Sequence, residues 1–149
     1  MSNKELVRRF FEDLLNREDL DCAREIATAS YIEHAVAPFG REAPGVVDGP
    51  EHLANVSRSL KAQFPDLRTV IEAMVEEGDM VAVRVRAEGT NDGAINAAVP
   101  ATGRRFSSWQ SHWFRIEDGR LAEHWANRED LPTMLQLGLV SPPGARPSA

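Results

Sequence analysis

Gln110 and His112 stand two residues apart in the stretch Arg105–Glu117. An imidazole exchanges protons near neutral pH, and a side-chain amide can donate to or accept from an oxygen. The alternation along this stretch predicts a strand. One of its faces carries Phe106, Ser108, Gln110, His112, Phe114 and Ile116, apolar at both ends and polar in the middle. Burying the amide or the imidazole without a partner costs about 1–3 kcal/mol each. A pocket with a polar ligand would supply such partners, and so would a backbone carbonyl in an ordinary core; both readings stay open. His34 follows Tyr31 at the entry to a loop rich in Pro and Gly (Pro38, Gly40, Pro44, Gly45), and His124 stands beside Trp125. Asp130 precedes Leu131-Pro132, where it is either a helix cap or a carboxyl acid/base.

Other chemistries are poorly supported. No H-E-x-x-H, close His pair or Cys pair is present, so no metal is expected. Nucleophile-elbow, Walker A and dinucleotide-binding patterns are missing too, and no cofactor is expected. Only two lysines occur, Lys4 and Lys61, both on helices among charged neighbours, so neither suits imine chemistry. Cys22, the single cysteine, reads as helix packing and rules out an internal disulfide. The formal charge of −6, from 17 basic and 23 acidic residues, argues against nucleic acid and against an anionic membrane surface. No apolar run approaches the roughly 20 residues that span a bilayer, and the first residues lack the apolar core of a signal peptide. A cytoplasmic protein is expected. What remains is proton transfer by His and carboxylate, or binding alone.

The elements that must position these groups read as helices first and strands after. Ser2-x-x-Glu5 forms a capping box, with Leu6, Phe10, Phe11, Leu14 and Leu15 at helical spacing behind it. A second helix is expected over about 19–30, closed by His34, and a third opens at Asp48-Gly49-Pro50-Glu51 and ends before Pro65. Strands are expected over 67–76, along Val81, Val83, Val85 and Ala87, over 105–117 and over 120–126, with a hairpin-like excursion around 91–103 and a final helix over about 131–137. This is an α+β fold of one domain, 1–140, with helices against one face of a curved, mostly antiparallel sheet. The hollow between them is the default binding site. Residues 141–149 form a Pro-rich tail expected to be disordered. The other strand face sets Trp109 and Trp113 among arginines, a mix enriched in interfaces, so a homodimer or higher homo-oligomer through the outer sheet face is expected. Local stacking of Arg on Trp is the alternative.

Several pieces, in order, resemble the SnoaL-like polyketide cyclase family of the nuclear transport factor 2-like superfamily. They are 7–16 (VRRFFEDLLN), Tyr31-Ile32-Glu33-His34, Phe64-Pro65-Asp66-Leu67, Glu77-Gly78-Asp79, Pro100-Ala101-Thr102-Gly103, 118–125 (DGRLAEHW) and Gln136-Leu137-Gly138. The resemblance implies a conical α+β barrel with an open pocket. It also implies an intramolecular aldol closure of an aromatic polyketide methyl ester that needs no metal or cofactor. The family's Gln-x-His pair falls on Gln110 and His112, and its Tyr-x-x-His on Tyr31 and His34. One position departs: Ala126 stands where the cyclase Asp lies, and alanine cannot transfer a proton.

The leading reading is therefore an acid/base enzyme acting on a hydrophobic, oxygenated small molecule. His112 and Asp130 would move protons. Gln110, His34, Tyr31 and His124 would contact substrate oxygens, and Phe39, Phe106 and Phe114 would hold the rings. A non-catalytic binding or accessory protein, or a hydroxylase-type relative working with a reductase, is the alternative motivated by Ala126.

Overall fold

The computed structural model describes residues 1–144. Ser2 caps helix α1 (Asn3–Arg9): its hydroxyl accepts from the Glu5 amide while the Glu5 carboxylate accepts from the Ser2 amide. The helix continues without a break into a π-helical segment, Phe10–Asn16. The wider turn brings the pairs Phe10/Phe11 and Leu14/Leu15 all into the core, more apolar surface than one stripe of an α-helix presents. Helix α2 (Cys22–Ile26) is followed at once by strand β1 (Ala27–Glu33) and the short β2 (Gly45–Val47). Helix α3 (Gly49–Gln63) starts from Asp48, whose carboxylate accepts from the Glu51 amide, with Pro50 in its first turn.

Four long strands follow: β3 (Arg68–Glu77), β4 (Met80–Thr90), β5 (Arg105–Glu117) and β6 (Arg120–Arg128). Helix α4 (Asp130–Gln136) closes the described fold. The sheet order is β2-β1-β6-β5-β4-β3, antiparallel throughout except for the parallel β1–β6 pair. Irregularities in register at Ile71/Ala73 and Arg115/Ile116 help the sheet to bend. It curves over the helices without closing, since β2 and β3 remain its two edges.

The expected second helix over 19–30 is not what forms. Its last turns are β1, because Thr28, Tyr31 and Ile32 favour a pleated surface and β6 offers their backbone a parallel partner, with Ile32 opposite Glu123 and Glu33 opposite His124. The change has consequences at the site. On a strand, Glu33 and His34 point to opposite sides of the sheet. The excursion around 91–103 is a loop with a single bridge, Asn96 to Val99, rather than a hairpin. Buried Asn91 organises it: its amide nitrogen donates to the Gln63 and Gly93 carbonyls, and its oxygen accepts from the Thr102 amide and hydroxyl. Gly93 is required there, because a Cβ would lie 1.7 Å from the Ala62 carbonyl oxygen. Lys61 donates to the Asn16 and Leu67 carbonyls, a structural tie. Of the tail expected at 141–149, residues 145–149 lie outside the described residues.

Two apolar clusters form. The larger joins the N-terminal helices to Val81, Val83, Val85, Phe114 and Leu121; the smaller joins Phe64, Leu67, Ala87, Phe106 and Leu137. On the inner face of β5 they flank the polar stretch Ser108-x-Gln110-x-His112.

Candidate active site

A cavity of about 360 Å³ opens between helix α3, the π-helical segment and the inner face of the sheet. Phe10 and Leu15 from the large cluster and Leu60, Phe64 and Phe106 from the small one supply apolar walls. Gln110, His112, His124, Glu33, His52 and Arg128 converge on it. Size and lining suit a mainly apolar ligand with a few oxygens.

The polar groups form one continuous chain. The Gln110 Oε1 lies 2.8 Å from His112 Nε2, and His112 Nδ1 lies 2.9 Å from His124 Nε2. His124 Nδ1 is 2.8 Å from Glu33 Oε1, and Glu33 Oε2 is 3.1 Å from His52 Nε2. The Ala35 amide donates to Glu33 Oε1 as well, at 2.9 Å. The strands dictate this geometry. His112 and Ala126 are cross-strand partners, as are Gln110 and Arg128, while Glu33 is paired with His124 across β1–β6. The imidazoles of His112 and His124 are nearly coplanar in orientation, 11° apart, and Phe114 and Phe11 pack around them.

Burial would raise the Glu33 carboxyl, but hydrogen bonds from His124 and His52 outweigh it and bring its pKa down to about 2. His112 moves the other way: burial, then the charges of His124 and Arg128, push its pKa well below the usual histidine value, so it is neutral at pH 7. An ionised Glu33 fixes the His124 proton on Nδ1, as an acceptor must. One proton then lies between His124 Nε2 and His112 Nδ1. If it rests on His112, that ring presents a bare Nε2 to the cavity and calls for the Gln110 amide N–H. If Nε2 gains a proton, the Gln110 oxygen is the matching partner. The arrangement is that of a general base oriented by a buried carboxylate through a second imidazole.

A family model for SnoaL-like polyketide cyclases matches residues 5–137. The chain belongs to the SnoaL-like polyketide cyclase family. It is 34% identical over 146 residues to aklanonic acid methyl ester cyclase DnrD of Streptomyces peucetius, covering 96% of this chain and 97% of that one. Nogalonic acid methyl ester cyclase of Streptomyces nogalater is 32% identical over 95 residues, 63% of this chain and 70% of that one. The solved structure of IdmH from Streptomyces antibioticus superposes with a TM-score of 0.77 at 29% identity, covering 93% and 99% of the two chains. The α+β architecture expected from the sequence is thus that of a SnoaL-like cyclase, and the chain is an enzyme of polyketide cyclase type.

The cyclase fold sorts the sequence-derived residues clearly. Gln110, His112, His124, Asp130, Phe39 and Phe106 line the cavity. Three others do not. Tyr31 is fully buried in the core, its hydroxyl unpartnered within the described residues. Phe114 lies in the core against His124, serving as a floor rather than a wall. His34 is on the outer face, stacked on Trp125 with ring centroids 4.8 Å apart and paired with Glu123 at 2.7 Å. Its expected place at a helix end at the pocket mouth is corrected by β1, whose alternation turns it outward. Asp130 reaches the rim, yet its partner is the Arg128 Nε at 3.3 Å, not His112, and it makes no capping bond. Sequence reasoning missed Glu33, His52 and Arg128. The acid of Tyr-Ile-Glu-His carried the signal for the first, hidden by the helical reading. His52, on the first turns of α3, and Arg128, past the expected end of the last strand, carried none.

Proposed function

We propose that this protein closes a ring in a polycyclic aromatic polyketide ester by an intramolecular aldol reaction, with His112 as the base. The observation that carries the reading is the buried chain Glu33–His124–His112–Gln110, which delivers an oriented, neutral imidazole into an apolar cavity. With the Gln110 amide displaced from it by the substrate, His112 Nε2 takes a proton from the carbon beside a carbonyl. The carbanion, delocalised into the conjugated ring system, forms the new C–C bond at a second carbonyl carbon. The alkoxide produced there takes a proton, and His112 is returned to its neutral form. The carbanion pair becomes the new C–C bond and the carbonyl π pair becomes the alkoxide, so the sum is redox-neutral and needs no oxidant or reductant. The named relatives act on aklanonic and nogalonic acid methyl esters, which supports a substrate of that class.

Within this reading His112 replaces the carboxylate that Ala126 cannot supply, and Asp130 serves to hold Arg128. The test is turnover of an aromatic polyketide methyl ester by purified protein across about pH 5–9. Ring closure that persists in Asp130→Asn and disappears in His112→Asn supports it. Binding without conversion would transfer the weight to a non-catalytic binding role.

The outer sheet face supports a homodimer by its composition. Trp113 is 45% exposed and the His34–Trp125 stack extends the same surface, whereas Arg84, 3.7 Å over the Trp109 ring, makes at that residue the local stack that is the alternative to an interface. Light scattering on wild type and Trp113→Glu tests this; an unchanged mass would exclude that face. No helix among the described residues is long and apolar enough to cross a membrane.

A further inference from the structure

Among the described residues, Arg128 is the one Arg or Lys of the cavity wall, and nothing in the proton chain uses it. It leaves β6 directly across from Gln110, on the same face as His124 and Ala126. Its side chain is only 13% exposed. Two of its nitrogens are held: Nε donates to Asp130 Oδ1, and Nη2 makes a short bond to the Val36 carbonyl. Nη1, with two further N–H donors, has no hydrogen-bond partner among the described residues. A guanidinium stays charged at any working pH, and here its position is fixed from two sides.

The reaction creates a need for that charge. When a neutral imidazole removes a proton from carbon, the site gains an imidazolium and an enolate together. Burial, then the His124 charge and then the Arg128 field disfavour the imidazolium and hold the His112 pKa below its usual value. The enolate must therefore be stabilised by more than that loss. A direct charge-assisted hydrogen bond outweighs a repulsion acting without contact. The residue at 126 bears on the same balance. Ala126 lies between His124 and Arg128 along the inner face, so no carboxylate stands there to neutralise the guanidinium. Asp130 is the one acid paired with it, and Asp130 is 41% exposed and screened by solvent.

We infer that Arg128 Nη1 binds the enolate oxygen formed when His112 deprotonates the substrate. The inference rests on the cyclase reading for its reaction, but not for its anion site. In this arrangement the departure at Ala126 is productive. Where the resemblance expects a carboxylate base, the site holds an imidazole base and a cation paired only with the half-exposed Asp130 at the rim.

Two measurements on the full chain test this. Arg128→Met should lower kcat by about 10²–10³-fold, with KM changed by less than about threefold, because the contact forms only as charge develops. Arg128→Lys should recover part of the loss. Separately, alizarin, whose first ionisation moves its visible absorption to longer wavelength, serves as a planar probe whose acidic phenol is conjugated with a ring carbonyl. Bound to wild type it should ionise at lower pH than in free solution, and bound to Arg128→Met at or above the free value, with matching thermal melts. Alizarin that does not bind, that is unshifted in wild type, or that is shifted equally in Arg128→Met overturns the inference. So does an Arg128→Met enzyme that keeps its kcat. Wild type that shifts alizarin but turns over no ester would sink the cyclase reading and leave the anion site standing.

Discussion

The two faces of this sheet carry nearly the same chemistry and do different things with it. Inside, His124 meets Glu33 at 2.8 Å; outside, His34 meets Glu123 at 2.7 Å. Each histidine also stacks on an aromatic ring, His124 on Phe114 and His34 on Trp125. The difference is water. The inner pair is 6% and 7% exposed, whereas His34 is 41% exposed. In solvent an ion pair contributes little, since screening and side-chain entropy offset the attraction. In the interior a carboxylate with three donors fixes tautomers, holds rings in register and leaves no slack. Contact distance alone does not make a functional histidine; contact in a dry place, aimed into a cavity, does.

The largest expected break in this comparison is His112→Asn. Kept in shape but deprived of its base, the enzyme should lose about 10²–10⁴-fold in kcat. His34→Asn, the same substitution on the outer face, should change kcat by less than about threefold. Steady-state turnover of both variants decides it, and equal losses would mean that the inner chain has no special role. Next comes Glu33→Ala, which strips the partner from His124, His52 and the Ala35 amide. Each buried donor left unpaired costs about 1–3 kcal/mol, so the midpoint of chemical denaturation should fall markedly. Glu123→Ala should move the same midpoint by no more than about 1 kcal/mol.

Acidity sharpens the comparison further. The folded-state pKa of His112 lies below its ordinary 6.5, so the unfolded chain binds the proton more readily and stability falls as pH drops through and below 6.5. Glu33, lowered from 4.5 to about 2, adds stability above 4.5 that is lost as pH falls from there toward 2. Melting temperature measured from pH 8 downward should decline in these two stages, and His112→Asn should remove the first. A smaller loss than that of His112→Asn is expected for Asp130→Asn, about tenfold or less in kcat, because it acts only through Arg128. A loss as large as that of His112→Asn would return Asp130 to proton transfer.

How much of this was legible beforehand depends on where each signal lay. The period-2 pattern of Val81, Val83, Val85 and Ala87 and the face Phe106 to Ile116 were visible because burial imposes alternation on a strand. The capping box at Ser2 and Glu5 and the Asp48 start of α3 were visible because helix termini need specific donors and acceptors. The segment from Ala27 to Glu33 was misread because its alanines and preceding helix look helical, and only the neighbouring β6 makes it a strand. That single error placed His34 in the pocket and Glu33 nowhere.

The amino-acid sequence by itself determined the first and third helices, the strands from 67 to 126, the family and the pair Gln110 and His112, because these rest on local spacing and on side-chain types. It also showed that residue 126 is alanine. Only the tertiary structure decided which histidines share a proton, that Glu33 governs them, and that Arg128 faces the same cavity. Those relations join β1, α3, β5 and β6, elements distant along the chain, and hydrogen bonds between them exist only once the sheet has curved and excluded water.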